Sequence, residues 1–590
     1  MEPTGIEIAR AQTRHRAGWW QRAGMERLDA LQRLQGWPLR GVLLLLGGLS
    51  ATAMAPVFAF PVLFFTLPLL SLLLSAPKSR RETHSFIARL RIAGARGWWF
   101  GFGFFLVGLH WIVQPFLVDV ATFGWLAPVA LVAMPGGLAL FTAFACALAC
   151  GLLTVGQNRA EPSTDGPARA ASSDGLTAAC ALAAGFGVAE LARGTALTGF
   201  PWNPIGHALT GHAWSLQWAG LFGSYALNIV AVFIFVLPGL ILADLVAERT
   251  PTKTALYRLV TLAAFVVNGL AIGALLGREQ TARFENVRLR LVQPSIDQRE
   301  KWKPENRRMI LERTLALTQG RGDDDARAEP IRPVTHVIWP EVAMPFLMLR
   351  TREAMQAIAD VLPDDSFLLT GTLRMRAAGD AADGERTFYN SLTTIDGQGA
   401  LLTSYDKQHL VPFGEYLPFR GVLSAIGLRR LVELRGSFDP GEGARLLTVP
   451  GLPAVAPLIC YEAIFPGDVV SGPQRPSWML IITNDAWFGT WAGPLQHAHH
   501  ARLRAVEEGL AVVRVSNNGI SGVYDPAGRL RAHLPLGARG FLDVDLPKPF
   551  TAPLASRYAT EILLGLLAVL LARVLFDRLL ARRERRPAQP

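Results

Sequence analysis

The sequence is poor in cysteine and poor in charge, and the balance of its charge is not acidic. Four cysteines in 590 residues cannot form the framework of a disulfide-stapled scaffold. Only 18% of the residues are charged while 51% are hydrophobic, which excludes an ordinary soluble protein of this length. No internal repeat stands out, so a solenoid is not indicated. Lys and Arg number 58 against 47 Asp and Glu, a net charge of +11. That excess is concentrated in loops and tails beside apolar blocks. It therefore marks membrane topology and headgroup contact, and nucleic acid is not an expected partner.

Long apolar runs are what the chain has in quantity. A bilayer span needs roughly 20 apolar residues in a helix. Eight stretches qualify, at about 40–55, 57–75, 98–114, 124–153, 175–193, 216–246, 257–276 and 559–577. The first two meet at Ala55-Pro56, and the third is short and aromatic. Basic residues cluster before the first stretch (Arg10, Arg14, Arg16, Arg22) and between the second and third (Lys78, Arg80, Arg81, Arg89). They recur at Arg159 and Arg169, at Arg249 and Lys253, and after the last stretch at Arg578 and Arg582. Segments 115–123 and 194–215 carry no Lys or Arg. Basic loops stay in the cytoplasm, so eight spans place residues 277–555 outside it. The expected organisation is a basic cytoplasmic tail (1–37), a seven-helix transmembrane bundle (38–276), an extracytoplasmic α/β domain (277–555), and an eighth span with a basic tail (556–590). Small residues at Ala51 to Ala55 resemble a cleavage site, but Pro56 follows directly and predicts an uncleaved anchor.

Residues 277–555 have a different texture. Strands are predicted at 287–294, 336–341, 366–371, 457–459, 479–484 and 511–516, with an amphipathic helix at 306–318. Alternation of this kind predicts an α/β domain with buried sheets. Polar residues gather where these runs end: Glu341, then Lys407 and Glu415, then Cys460 and Glu462. Cys146, Cys150 and Cys180 lie among Ala, Leu and Phe and are packing residues. Cys460 is different, because it closes the apolar run Pro457-Leu458-Ile459 and precedes Tyr461-Glu462. Alone, it is either a core residue or a nucleophile. A Glu and a Lys from other strand ends make a chemical set with it. The carboxylate takes the thiol proton, and the ammonium favours thiolate and stabilises an oxyanion. His497, His499 and His500 are close in sequence, but no carboxylate or cysteine set completes a metal site around them. Neither metal nor cofactor is expected. Glu190 and Arg193, at the end of the fifth apolar stretch, serve a function, pair with each other, or sit in the headgroup layer. The apolar loops 346–349 and 423–428 suit lipid contact or core packing equally.

Trp339-Pro340-Glu341, Lys407 through Pro418, and Cys460-Tyr461-Glu462 resemble the Glu-Lys-Cys triad of the nitrilase (carbon–nitrogen hydrolase) superfamily. The membrane blocks narrow the resemblance to the apolipoprotein N-acyltransferases. So do Gly199-Phe200-Pro201-Trp202, Gly220 to Tyr225 with Asn228, Lys301-Trp302, Tyr389-Asn390-Ser391, Thr483 to Gly489, Gln496-His497, Arg504 with Glu507, and Arg514 with Asn517. It runs from about residue 40 to 577 and departs at Ser295-Ile296-Asp297, where that family more often has Asn-Ile-Pro. The resemblance implies a polytopic α-helical membrane bundle of about eight spans carrying a nitrilase-like αββα sandwich. It implies Glu341 as base, Lys407 as oxyanion stabiliser and Cys460 as nucleophile, with Trp302, Glu415, Tyr461 and Glu462 in support. The implied reaction is ping-pong. An acyl group leaves a phospholipid, phosphatidylethanolamine by analogy, rests on the thiol as a thioester, and passes to the amine of an S-diacylglyceryl-cysteine apolipoprotein. The implied location is a bacterial inner membrane, with the catalytic domain on the periplasmic side. Two alternatives keep the same residues. In a membrane-anchored amidase or nitrile hydrolase, water attacks the thioester. A non-catalytic scaffold is indifferent to Cys460→Ser and Glu341→Gln.

Overall fold

The structure is a computed structural model of the chain. It describes residues 19–74, 85–154, 174–322, 333–363, 365–376, 387–416, 418, 438–443, 445–467, 469 and 474–583. The basic residues up to 18, those at 78–81, 159 and 169, and the apolar stretch 423–428 lie outside them.

The N-terminal half is helical: α1 (Trp19–Gln32), α2 (Gly36–Ala51), α3 (Leu63–Leu74), α4 (Phe86–Gly108), α5 (Leu126–Thr154), α6 (Gly175–Thr195), α7 (Trp218–Val246) and α8 (Thr252–Leu276). Among the described residues five helices are long and apolar enough to cross a membrane: α5 to α8 and the segment Leu554–Leu580. A sixth is added if α4 and the 3-10 helix His110–Leu117, bent by 65°, form one span. The eight stretches read from composition all fall on helical segments, but length and composition here support five or six spans. The first two stretches form the short helices Gly36–Ala51 and Phe60–Leu74, separated by a turn around Pro56. Hydropathy alone does not register such a break. Helices α2 and α4 meet through glycines. A Cβ on Gly47 would lie 1.9 Å from the Phe100 carbonyl oxygen, and one on Gly103 would lie 2.0 Å from that of Leu44. Close backbone approach through small residues is how helices pack where no water drives them together. Helix α8 instead exposes Leu256, Val260, Val267 and Leu275, an apolar face suited to lipid.

Among the described residues the C-terminal half holds eleven strands in two sheets. Strands β1 (Arg283–Gln293), β2 (His336–Ile338), β3 (Phe367–Arg376), β4 (Thr387–Asp396), β5 (Leu401–Asp406) and β11 (Gly540–Pro547) form the first, in order β11-β1-β2-β3-β4-β5. Strands β6 (Val455–Ile459), β7 (Trp478–Thr483), β8 (Ala511–Ser516), β9 (Ser521–Tyr524) and β10 (Leu530–Leu534) form the second, in order β10-β9-β8-β7-β6. The period of two assigns each side chain to a face. Leu289, Leu291, Ile338 and Leu369 meet Ile482, Val513 and Val515 in a core between the sheets. Val292, Val337 and Leu368 turn the other way, against α9 (Arg307–Thr318) and α10 (Arg352–Ala359). Met479, Ile481 and Val512 turn outward against α11 (Ala492–Glu508). The result is the αββα sandwich. The chain returns to a long apolar helix in α12 (Leu554–Arg583).

The two halves share a core. Tyr461, Ile464, Phe465, Ala492, Leu503 and Val506 pack in the same buried cluster as the helices of the bundle. Helix α7 is kinked at Gly223, which has φ 71°, and the next residue, Ser224, accepts from Arg504 and donates to Glu507 on α11. Glu190 and Arg193 pair at 2.6 Å, and Arg193 also donates to the carbonyls of Phe200 and Trp202. That pair therefore shapes the loop facing the catalytic half.

Candidate active site

Three strand ends converge at the seam between the sheets. Glu341 follows β2. The Trp339 N–H donates to the Leu369 carbonyl, and the Trp339 indole donates to Thr318 Oγ1 at 2.8 Å, so the approach to Glu341 is fixed from both sides. The Glu341 backbone lies almost on Gly371 of β3. A Cβ there would stand 2.5 Å from the Pro340 oxygen and 2.6 Å from Glu341 Cα. Lys407 follows β5 and is 1% exposed. Its Nζ lies 2.9 Å from Glu415 Oε1 and 3.6 Å from Glu341 Oε1. Asn390 Nδ2, on the neighbouring β4, donates to both carboxylates, at 2.7 Å to Glu341 and 3.0 Å to Glu415. Glu415 Oε2 accepts from the Val411 N–H, which closes the loop around Lys407.

Cys460 follows β6, buried, as the first residue of a 3-10 turn spanning Cys460–Ile464. Its φ is +53°, in the left-handed region that side chains rarely occupy. Val342, beside Glu341, has φ +43°, and Phe413, between Lys407 and Glu415, has φ +63°. Such backbone costs about 1–3 kcal/mol per residue and collects where the surroundings over-determine a geometry. Glu462 is the brace of the Cys460 turn. Its Oε2 accepts from the Ile459 N–H at 2.7 Å, and its Oε1 accepts from Tyr405 Oη and the Gln408 N–H. Tyr461 Oη donates to the Gly199 carbonyl of the bundle loop at 2.8 Å.

The electrostatics follow from burial. Desolvation pushes the Cys460 thiol well above its usual range and Glu341 adds to that, while Lys407 and a hydrogen bond with Thr483 pull it down. Burial acts to lower Lys407, but Glu415, Glu341 and Cys460 together outweigh it and hold the ammonium above its usual range. A thiol in this setting ionises only if its proton is taken away, and Glu341 and Lys407 are both within electrostatic range of it.

The residues singled out from sequence are thus placed unequally. Glu341, Lys407 and Cys460 are buried within electrostatic range of one another, and the partly buried Glu415 pairs with Lys407 at their edge. Glu462 holds the Cys460 turn and Tyr461 ties it to the bundle loop, both within electrostatic range of Lys407. Trp302 is 47% exposed and follows the short helix Gln298–Lys301. Its neighbour Lys301 is fully buried, with Nζ 3.5 Å from the Glu341 carbonyl oxygen; burial lowers its ammonium to about 8, opposed by Glu341. Sequence reasoning passed over Lys301 and Asn390 as chemical groups. It also passed over Asp485, which accepts from Arg514 at 2.6 Å and lies 2.9 Å from His497 Nδ1. The three nearby histidines have protein surroundings: His497 contacts Asp485, His499 bonds Thr210, and His500 packs on Trp202.

Residues 288–555 match the carbon–nitrogen hydrolase family, which is the class that the two sheets and the Glu-Lys-Cys cluster define. Residues 46–237 match the N-terminal domain of apolipoprotein N-acyltransferase. The apolipoprotein N-acyltransferase of Rhodopseudomonas palustris is 39% identical over 526 residues, 88% of this chain and 92% of that protein. That of Bradyrhizobium diazoefficiens is 38% identical over 561 residues, 92% of this chain and 98% of that protein. That of Brucella melitensis is 37% identical over 553 residues, covering 92% and 97%. The chain belongs to the apolipoprotein N-acyltransferase family.

Proposed function

We propose that the acyl transfer of this family runs here through a thioester on Cys460, with Glu341 as the proton carrier and Lys407 as the oxyanion partner. Membership of the family makes the chain a membrane acyltransferase of lipoprotein maturation, acting on phospholipid and lipoprotein. In the first half-reaction Glu341 accepts the thiol proton and Sγ attacks the ester carbonyl carbon of the phospholipid. Charge builds on the carbonyl oxygen beside the Lys407 ammonium, helped by the backbone N–H after Cys460. The C–O bond breaks, and Glu341 returns its proton to the departing lysophospholipid oxygen. In the second half-reaction the neutral amine of an S-diacylglyceryl cysteine attacks the thioester carbon. Glu341 takes the amine proton, the C–S bond breaks, and the thiolate recovers a proton from Glu341. Glu415 holds Lys407, Glu462 and Tyr461 seat the nucleophile's turn, and Trp302 stands at the half-exposed edge of the site.

Phosphatidylethanolamine is the donor we favour, its sn-1 chain the one transferred. We infer that the catalytic half lies outside the cytoplasm, a reading supported by the basic segments that flank the apolar stretches of the sequence. The observation that carries the reading is the shared burial of Lys407 and Glu341 with Cys460 in electrostatic reach of both. The test is intact-mass spectrometry of the purified full-length protein with phosphatidylethanolamine. A fatty-acyl increment on Cys460, discharged by a diacylated peptide with a free amine, supports it. An increment on another side chain, or release of free fatty acid in place of acylated peptide, sinks it.

A further inference from the structure

The geometry points to Gln496 and His497 as positioning residues that make the seat of Cys460 depend on the docked membrane bundle. The inference rests on the reading that Cys460 carries the acyl chain. It begins with the strained peptide of Cys460. A left-handed φ is held only if neighbouring groups fix the carbonyl on one side and the turn on the other. Glu462 fixes the turn. The carbonyl oxygen lies 3.1 Å from His497 Nε2. A carbonyl only accepts, so Nε2 carries the proton and donates. The imidazole is fully buried and has no freedom to leave. Its other nitrogen lies 3.1 Å from Arg514 Nη2 and 2.9 Å from Asp485 Oδ1, and Asp485 is clamped by Arg514 at 2.6 Å. This is a second constellation behind the nucleophile, touching its backbone and not its sulfur.

His497 sits in the first turns of α11, and the residue before it is the one that meets the bundle. The Gln496 side chain makes four hydrogen bonds across the junction. Its Oε1 accepts from the indoles of Trp111 at 2.9 Å and Trp202 at 2.7 Å. Its Nε2 donates to the carbonyls of Ala55 at 3.0 Å and Gly108 at 3.2 Å. These four partners come from three separate places in the bundle: the turn after α2, the bend after α4, and the Gly199–Trp202 loop. The Trp202 ring also stacks on His497, with centroids 5.9 Å apart. Adjacent residues on one helix thus read the assembly of three bundle segments and hold the peptide of the nucleophile. A displaced bundle would release the Cys460 carbonyl from its only fixed side-chain donor among the described hydrogen bonds.

The experiment is the rate of acyl–Cys460 formation in full-length protein with phosphatidylethanolamine in detergent micelles, followed by intact-mass spectrometry alongside the thermal unfolding midpoint. His497→Leu is expected to slow acylation at least tenfold at saturating phospholipid, with the half-saturating concentration little changed. His497→Gln, which can still present an amide N–H to the carbonyl, recovers most of that loss. Gln496→Leu slows acylation in the same way, and Gln496→Asn does so less. Wild-type acylation rates in His497→Leu overturn the inference while leaving the thioester intact. So does a loss that tracks the unfolding midpoint and is not recovered in His497→Gln. Wild-type protein that never acquires an acyl group on Cys460 overturns the thioester reading, and this inference with it.

Discussion

The two sheets of the catalytic half carry different parts of the chemistry. The first holds the charges: Glu341 after β2, Lys407 after β5, and Lys301 after β1. Asn390 on β4 links two of the carboxylates. The second sheet holds the sulfur after β6, and the charges behind it are spent on one another, Asp485 against Arg514 and His497. So the edge of the first sheet gathers Lys407 between two carboxylates, and the second sheet backs Cys460 with a buried ion network. The difference teaches that Glu341 and Cys460 come together only where the inter-sheet core keeps the two edges in register, since they follow strands of different sheets.

The sharpest way to break the comparison is to remove the sulfur. Cys460→Ala is expected to lower acyl transfer by on the order of 10⁴-fold or more, and to erase the mass increment, while the protein still folds. If transfer persists, the second sheet is not the covalent side. On the charged side, Lys407→Met is expected to lower turnover by about 10²–10³-fold with little change in phospholipid affinity, because an oxyanion partner acts in the transition state. A change confined to affinity would recast Lys407 as a binding group.

Lys301 sharpens the contrast through stability. Its ammonium is depressed by burial from 10.5 to about 8. Below pH 8 the folded protein bears the full cost of a buried cation. Between pH 8 and 10.5 the folded form has released the proton while the unfolded chain still binds it, so stability rises with pH across that window, by on the order of 3 kcal/mol. Lys301→Met should remove this rise from the unfolding midpoint measured against pH. Parallel curves for the two proteins would show that Lys301 is solvated. The smallest effect is expected at the junction. Tyr461→Phe loses one hydrogen bond to Gly199, worth about 1 kcal/mol, and should slow turnover several-fold. No change would detach the nucleophile's turn from the bundle loop.

Much of this was legible in the sequence, and for a physical reason. Glu341 and Cys460 each follow a run of apolar residues, so strand ends and chemistry coincide locally, whereas Lys407 follows the mixed strand β5 and is legible through the motif around it. The strands at 287, 336, 366, 457, 479 and 511 are apolar enough to announce themselves. Strands β4, β5, β9, β10 and β11 are not, because polar residues such as Thr393, Thr394, Ser521, Arg531 and Asp543 interrupt them. The Asp485–His497–Arg514 network was invisible because its members sit on three elements and meet only in space. Lys301 was passed over because lysines are almost always at the surface. The count of eight spans is not confirmed by helix length among the described residues, because Gly36–Ala51 and Phe60–Leu74 are apolar yet short.

Gly371 has no functional group and no acid–base role, yet the carboxylate of Glu341 can stand where it does only because the neighbouring strand offers bare backbone at that point. One added methyl group would collide with main-chain atoms, which cannot swing aside as a flexible side chain would. An enzyme with every reactive atom intact would then be silenced by crowding, and a search confined to residues that react would pass over the cause.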